Sequence, residues 1–129
     1  MPPDESATPT TTSRLRIRPR HCDAQAVVHA SRYYEFFEDA FLDWLDDHMG
    51  GYRRLREEDA LDLVIVASGC DYHGPARLDD ELTIESLLQK RGRTSMTMRF
   101  TVRHGPDVVA IGHATYVAVR AGEPTPLPR

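Results

Sequence analysis

The feature that most constrains the fold of this chain is a periodic stretch of aromatic residues in its first half. Apolar residues recur there every three or four positions, which places them on one broad stripe of a helix; they are Tyr33, Phe36, Phe37, Ala40, Phe41, Trp44 and Leu45. The opposite side carries six carboxylates and is predicted to face solvent. Ser31 is a candidate N-cap and Gly50-Gly51 a candidate stop, so the pattern predicts a helix over about 32–48.

Most of the remaining chain has the sequence pattern of β-strands. Apolar residues alternate with Thr and Arg in one segment, and another is β-rich and apolar on both faces, as in a central strand. Four strands are predicted after the helix, over 63–72, 82–89, 96–103 and 108–119. A short first strand is predicted at 15–18, and the charged segment 53–60 is predicted as a turn of helix or a loop.

This order of elements, one strand, one long helix and four antiparallel strands, predicts an α+β fold. A long twisted sheet can curl around a single buried helix, which is the hot-dog arrangement. We therefore expect a single hot-dog domain whose antiparallel sheet wraps around one long central helix. Because the helix covers only one face of the sheet, a second copy of the chain is the expected cover for the rest. This predicts a homodimer, or a homotetramer made of two dimers.

The chain length and the composition of its ends define the domain limits. The 129 residues are enough for one domain and too few for two ordinary ones. Nine of the first 13 residues are Pro, Thr or Ser, so 1–13 is predicted to be a disordered tail. Residues 121–129 include three prolines and are predicted to be a flexible tail. The folded hot-dog domain is expected to span 14–120.

Composition argues against several classes of function. A net charge of −4 and a pI near 5.8 disfavour a broad nucleic-acid surface. No apolar run approaches the ~18 residues of a membrane span, and the N-terminus has no basic region followed by an apolar stretch. Cys22 and Cys70 are expected to be reduced thiols in a cytoplasmic protein. No His or Cys spacing is typical of a metal site, so neither a metal nor a cofactor is expected.

Three segments resemble the landmarks of a known family. The first is Asp23 to Ala40, DAQAVVHASRYYEFFEDA, in which an Asp precedes a short loop, a His and an aromatic helix. The second, DYHGPARLDDEL at 71–82, has a tyrosine, Pro-Ala and an acidic turn, and the third is RGRTS at 91–95. Their order and spacing are similar to those of the acyl-CoA thioesterases of the hot-dog superfamily, in the 4-hydroxybenzoyl-CoA thioesterase-like branch. The resemblance spans about 14–120.

That resemblance implies hydrolysis of an acyl-CoA, or of an acyl-carrier-protein thioester, to the free acid and the thiol. Asp23 occupies the position of the catalytic carboxylate, which acts as a nucleophile on the thioester or as a general base for water. The backbone N–H of Ala30 falls where the family polarises the thioester carbonyl. Unpaired N–H groups at a helix start also suit a developing oxyanion on physical grounds. For His29 three roles stay open: orienting water, binding the substrate carbonyl, or serving only as a loop histidine.

A basic cluster in a predicted strand-to-strand loop is the candidate site for the nucleotide of coenzyme A, which enters only as part of the substrate. Lys90, Arg91 and Arg93 are candidates to pair with its phosphates, and Thr94 and Ser95 are candidates to contact the pantetheine arm. Related thioesterases often place the nucleotide near this strand. The alternative interpretation is a charged hairpin turn.

The chain departs from the family pattern at two places near Asp23. The loop glycine that often follows the Asp is Ala26 here, and an acidic residue often found before the motif is missing at His21-Cys22. Two other functions stay open: a hot-dog enoyl-thioester hydratase or dehydratase, and a non-catalytic acyl-binding domain. The first is disfavoured because those enzymes have Asn-Pro between an Asp and a His five residues apart, whereas Asp23 and His29 are six apart without a proline.

Overall fold

The computed structural model describes residues 9–128, and within them it shows six strands and two helices. In chain order these are β1 (Thr10–Arg16), α1 (Arg32–Met49), α2 (Tyr52–Asp59), β2 (Asp62–Tyr72), β3 (Glu81–Arg91), β4 (Ser95–His104), β5 (Asp107–Arg120) and β6 (Glu123–Pro124). A single 3-10 turn, Pro19–His21, follows β1. Neither helix of this range is both long and apolar enough to cross a membrane.

The strands form one antiparallel sheet in the order β1-β3-β4-β5-β2, and the short β6 pairs with the end of β5. Helix α1 packs against β1, β3 and β4, so the sheet curls around it. The predicted hot-dog arrangement is confirmed. The charged segment 53–60 forms most of α2, whose exposed side chains make ion pairs one helical turn apart, such as Arg53 with Glu57.

The aromatic stripe of α1 supplies the centre of the core. All seven residues of the predicted stripe are buried. Phe37 stacks on Phe100 of β4 with ring centroids 5.0 Å apart, and Phe41 stacks on Tyr116 of β5 at 3.9 Å. Phe37 also lies directly over the backbone of Gly112, where a side chain would overlap its ring. The helix is therefore held by close ring contacts as well as by burial.

The two ends of α1 differ in how well the sequence predicts them. Gly50 adopts φ 79°, the left-handed conformation that ends the helix, as expected. Ser31, the candidate N-cap, has a helical backbone and its side chain caps no helix N–H. Its Oγ instead lies 2.8 Å from Nδ1 of His29. The N-cap prediction is wrong because the chain already turns before Ser31, so its hydroxyl is taken by the preceding loop.

The predicted disordered tail 1–13 is wrong for its last four residues. Strand β1 begins at Thr10 and pairs with β3 as far as Leu87. Thr11 Oγ1 donates to Asp47 at 2.8 Å and Ser13 Oγ donates to Asp43 at 2.6 Å. The polar side chains that suggested a disordered tail therefore bond this strand to α1. The strand predicted at 15–18 starts and ends earlier than expected. Residues 1–8 of the predicted tail lie outside the described residues.

The predicted flexible tail 121–129 also folds onto the domain. Glu123–Pro124 forms β6, and the N–H of Leu127 donates to the carbonyl of Arg93 at 2.9 Å. Leu127 is buried, which explains why a proline-rich segment stays in place: its one large apolar side chain covers the end of the core. The ordered part of the chain therefore extends beyond both predicted limits, 14 and 120. Arg129 lies outside the described range.

The sheet has two distinct ends that separate the candidate sites. At one end β2 stops at Tyr72, β3 starts at Glu81, and the segment between β1 and α1 packs alongside through hydrogen bonds of Ile17 with Asp79 and Asp80. At the opposite end β3 turns into β4. The length of β3 therefore lies between the loop that precedes α1 and the β3–β4 hairpin.

Candidate active site

The loop that carries Asp23 is a short hairpin ending at the start of α1. The N–H of His29 donates to the carbonyl of His21 at 3.0 Å, and the N–H of Asp23 donates to the carbonyl of Val27 at 2.9 Å. Cys22 and Val28 form a bridge between these two pairs. The hairpin thus holds Asp23 near its tip and delivers the chain into the first turn of α1.

The second landmark segment supports this hairpin from outside. The N–H of Val28 donates to the carbonyl of Ala76 at 2.8 Å, and the N–H of Leu78 donates to the carbonyl of Ala26 at 3.0 Å. Residues 76–78, between Pro75 and the acidic turn, therefore pair with the hairpin around an isolated bridge between Val27 and Arg77. The structure brings together two segments that are far apart in sequence, which gives the Asp23 loop a fixed backbone.

One carboxylate oxygen of Asp23 is bound and the other is free. Oδ1 accepts the N–H groups of Gln25, at 2.9 Å, and of Val27, at 3.2 Å. Oδ2 has no partner within residues 9–128, and the side chain is exposed. This arrangement fixes the carboxylate by one oxygen and leaves the other available to take a proton or to attack a carbonyl carbon.

The turn of the hairpin contains a strained residue. Ala26 has φ 60°, in the left-handed region that costs a residue with a side chain roughly 1–2 kcal/mol. This is the position where the family often has glycine. The alanine therefore adopts a left-handed backbone of the kind that glycine favours.

We expect Ala26→Gly to stabilise the protein by about 0.5–1 kcal/mol, because relief of the left-handed strain exceeds the entropy that glycine adds to the unfolded chain. Chemical denaturation measures the change. Ala24→Gly is the matched control, since Ala24 lies in the same turn without a positive φ. It is expected to lower stability by about 0.5–1 kcal/mol. A loss of stability in Ala26→Gly would contradict the turn geometry.

The peptide groups at the start of α1 include one free donor. The N–H of Ala30 makes no hydrogen bond in the part of the chain that the structure describes. The carbonyl of Ala30 accepts from Tyr33 N–H at 3.3 Å and from Tyr72 Oη at 3.2 Å. Tyr72, at the end of β2, also packs its ring against Tyr33 at 5.3 Å. Tyr72 thus anchors Ala30 from across the fold.

The ionisation of the groups around Ala30 is compatible with this anchoring. Partial desolvation, and then the nearby Cys70 thiol, raise the pKa of Tyr72 to about 12, so its hydroxyl stays protonated and can donate at neutral pH. Desolvation also raises the pKa of the Cys70 thiol. The pKa of the Cys22 thiol is raised by desolvation and then by the negative charge of Asp23. Both cysteines are free thiols that stay protonated, so neither is an activated nucleophile.

His29 is exposed and linked to Ser31. Its Nδ1 accepts the N–H of Ser31 at 3.2 Å, so the neutral ring carries its proton on Nε2. Nε2 finds no partner among residues 9 to 128 and is available as a donor. The ring therefore belongs to the residue that precedes Ala30, with Nδ1 bonded within the loop and Nε2 available as a donor.

An apolar groove runs between α1 and the edge of the sheet formed by β2. Its volume is about 410 Å³, and it is lined by Tyr34, Phe37, Leu63, Ile65 and Tyr116 among others. The groove starts beside the first turns of α1, which begin just after Ala30. The first residue that lines it, Tyr34, follows Ala30 by four positions in the chain.

The predicted nucleotide cluster lies at the other end of the sheet. Lys90 and Arg91 end β3, Arg93 and Thr94 form the turn, and Ser95 begins β4. Ten residue steps of β3, roughly 33 Å, separate this hairpin from Glu81 at the Asp23 end. The Arg91 guanidinium donates to the carbonyl of Pro128. Within one chain the structure does not bring this cluster to Asp23.

Two features of the site are not anticipated from the sequence. One is the anchoring of Ala30 by Tyr72, which depends on a contact between distant segments. The other is a groove lined by arginines next to the hairpin, for which a signal exists: Arg14, Arg16, Arg18 and Arg20 stand at every second position. No group of three or more His, Cys, Asp or Glu able to hold a metal ion occurs in the described range.

Comparison with known proteins gives consistent matches. The sequence profile of the thioesterase superfamily matches residues 25–111. The long-chain acyl-CoA thioesterase FadM of Escherichia coli is 29% identical over 109 residues, which cover 83% of this chain and 81% of FadM. The crystal structure of a hypothetical protein from Aquifex aeolicus is similar with a TM-score of 0.86 and 26% identity, covering 92% of this chain and 93% of that one. The 1,4-dihydroxy-2-naphthoyl-CoA thioesterase from Synechocystis shares the fold, with a TM-score of 0.84, 16% identity and coverage of 92% and 90%.

Proposed function

Because the chain belongs to the thioesterase superfamily, we propose that it hydrolyses the thioester bond of an acyl-CoA, or of an acyl carrier protein, to a free acid and a thiol. The observation that carries the proposal concerns the hairpin and the residue that follows it: Oδ2 of Asp23 and the N–H of Ala30 both lack a partner among the residues that the structure describes. The similarity to FadM, named as a long-chain acyl-CoA thioesterase, supports the acyl-CoA class.

The proposed reaction uses Asp23 and Ala30 at the two sides of the thioester carbonyl. The N–H of Ala30 donates to the carbonyl oxygen and stabilises the negative charge that develops on it. In the general-base form, Asp23 Oδ2 takes a proton from water, the water oxygen bonds to the carbonyl carbon, and the C–S bond breaks. The sulfur leaves with a proton as the thiol. In the nucleophilic form, Oδ2 itself bonds to the carbonyl carbon, the C–S bond breaks, and the thiolate leaves and takes a proton from water. Water then hydrolyses the resulting anhydride, which releases the acid and restores the Asp23 carboxylate.

His29 and Tyr72 are proposed to assist this reaction in different ways. The Nε2–H of His29, which bonds no residue of the described range, is a donor for the attacking water or for the substrate carbonyl. Tyr72 is a positioning residue, because its hydroxyl bonds the carbonyl of Ala30 and not the substrate. The acyl group is proposed to lie in the apolar groove between α1 and β2. All of these groups belong to the chain itself, and coenzyme A takes part only as a portion of the substrate.

The edge of the sheet at β2 supports the proposal that the chain forms a homodimer, alone or within a homotetramer. Val64, Ile65 and Val66 are 46%, 53% and 59% exposed, an unusual run of apolar residues for a free edge strand. Pairing of β2 with its own copy across a two-fold axis would cover them. Antiparallel pairing would also place the partner's β3–β4 hairpin at the same end as Asp23, where Lys90, Arg91 and Arg93 could serve the nucleotide.

We expect Val66→Lys to convert this dimer into a monomer, because a charge at the middle of the edge would be buried without a partner. Val66 is the extra residue at a bulge between Ile65 and Ala67, so its replacement leaves the ladder with β5 intact. Light scattering after gel filtration measures the mass. Thr12→Lys, on the exposed side of the other edge strand, is the control and should keep the wild-type mass. A monomeric wild type would reject the dimer.

The experiment that tests the function is thiol release from a panel of thioesters. Short, long and aromatic acyl-CoAs and an acylated carrier protein are mixed with the protein, and free thiol is followed with a chromogenic reagent. Release from at least one of them is expected. Loss of enoyl-CoA absorbance without thiol release would indicate a hydratase instead, and tight acyl-CoA binding without turnover would indicate an acyl-binding domain. The cytoplasmic location stays a prediction.

A further inference from the structure

A second groove lies on the other side of α1 and is lined by arginines. It has a volume of about 390 Å³ and runs between β1 and the first turns of α1. Its lining includes five arginines. Four of them alternate along the segment after Ser13 and the fifth is the first residue of α1: Arg14, Arg16, Arg18, Arg20 and Arg32. The whole chain carries a net charge of −4, so this concentration of positive charge is a local feature.

The positive charge is greatest at the end of the groove next to the hairpin. Far from the hairpin the groove also contains Asp39 and Asp43, and Arg16 is paired with Glu81 outside it at 2.7 Å. Near the hairpin, Arg18, Arg20 and Arg32 face a single carboxylate, Glu35. That carboxylate is bonded to Arg32 at 2.9 Å. Arg18 and Arg20 form no ion pair with any residue of the range 9–128.

His21 lines this end of the groove, and the positive charges around it affect its pKa. Its side chain is buried against the ring of Phe36, with centroids 5.1 Å apart. Burial lowers the pKa of His21, and the charges of Arg20, Arg32 and Arg18 lower it further although Glu35 opposes them. Nδ1 of the neutral ring accepts the N–H of Arg18 at 2.8 Å, so Nε2 carries the proton and adds a neutral donor to the groove.

The two grooves differ in the chemistry that they offer to a substrate. The groove beside β2 is apolar and suits the acyl chain, whereas the groove beside β1 offers guanidinium groups and a ring N–H. Arg20 and Arg32 flank the hairpin in the chain and line one groove, and Tyr34 lines the other, so the two grooves lie on either side of the first turns of α1, which follow the site proposed for the thioester. A phosphate ester is the anionic group that every carrier with a phosphopantetheine arm presents, and Arg is well suited to bind it.

We propose that Arg18, Arg20 and Arg32 bind the phosphate of the pantetheine arm, in the same chain that supplies Asp23. The proposal rests on the proposed thioesterase function. It differs from the assignment of the β3–β4 hairpin, which concerns the nucleotide. Coenzyme A and an acylated carrier protein both contain this phosphate, so the site recognises chemistry that the two substrates share.

The test compares three thioesters of one acyl group: acyl-pantetheine, acyl-4'-phosphopantetheine and acyl-CoA. In the wild type, KM is expected to fall about tenfold when the arm gains its phosphate. The double variant R18Q/R20Q should lose this fall while retaining the wild-type KM and kcat for acyl-pantetheine. A variant KM raised equally for all three thioesters, or a wild-type KM insensitive to the phosphate, would overturn the proposal.

The control is R99Q/R103Q, which removes the same number of charges from the sheet. Arg99 and Arg103 are outside both grooves and form no ion pair in the portion that the structure covers. This variant should keep the wild-type KM for all three thioesters. A rise equal to that of R18Q/R20Q would show a general effect of net charge and would reject the site.

Two further measurements separate the possible causes of failure. An acylated carrier protein and acyl-CoA should show similar increases in KM for R18Q/R20Q, and their wild-type kcat/KM values identify the preferred carrier. An increase confined to the carrier protein would indicate docking of a protein surface and would overturn the phosphate assignment. Calorimetry with 4'-phosphopantetheine does not depend on hydrolysis: binding lost in R18Q/R20Q supports the site even if no thioester is hydrolysed, and unchanged binding rejects it.

Discussion

Asp23→Asn is expected to lower kcat for thioester hydrolysis by about a thousandfold. The asparagine can keep its oxygen at the position of Oδ1, where it accepts the N–H groups of Gln25 and Val27. The amide nitrogen that replaces Oδ2 can neither take a proton nor attack a carbonyl carbon. The hairpin should therefore fold as in the wild type while the chemistry is lost, and thiol release with the best acyl-CoA of the panel measures the difference.

Asp80→Asn is the matched control for this variant. Asp80 is also a loop carboxylate, and its Oδ2 accepts the N–H of Arg77 at 2.9 Å in the segment that supports the Asp23 hairpin. Its replacement by Asn keeps an acceptor there, so kcat should stay within about threefold of the wild type. Equal losses in both variants would mean that the hairpin has moved, and an active Asp23→Asn enzyme would exclude Asp23 from the chemistry.

The elements that depend on local periodicity are those that the sequence predicts well. The apolar stripe of α1 lies on one side only if the segment is a helix, and the alternation in β4 gives one buried face only if the segment is a strand. Each pattern therefore fits one type of secondary structure in a packed core. The chain ends are different. A threonine-rich strand at 10–13 and a buried Leu127 among prolines carry no periodic signal, because their order comes from contacts with α1 and with the turn at Arg93.

The candidate site shows the same division. Asp23 and Ala30 are found from a linear motif because the hairpin that holds them is local. The bond from Tyr72 to Ala30 joins the end of β2 to the start of α1, and the groove of Arg18, Arg20 and Arg32 exists only once β1 lies beside α1. The basic cluster at the end of β3 illustrates the converse. It can be recognised in the sequence, but its position, roughly 33 Å along β3 from Glu81 at the Asp23 end, follows only from the strand between them.

Gly112→Ala is expected to destabilise the protein by about 3 kcal/mol, at the upper end of ordinary overpacking. A Cβ on Gly112 would lie 2.9 Å from Cδ2 of Phe37 and well inside contact distance of its Cε2 and Cζ. The ring cannot move away, because it is stacked on Phe100 at 5.0 Å and belongs to the buried stripe of α1. The melting temperature should fall by roughly 10–15 °C, measured at matched chain concentration.

Gly69→Ala separates this clash from a general effect of replacing a strand glycine. Gly69 lies in the adjacent strand β2, and its added Cβ would meet only the far end of the exposed His113 side chain, 2.9 Å away. That side chain can rotate, so the loss should be below about 1 kcal/mol. Phe37→Leu removes the ring atoms that the new Cβ would meet. The double variant F37L/G112A should therefore be at least about 1 kcal/mol more stable than the sum of the single losses predicts, and strict additivity would disprove the clash.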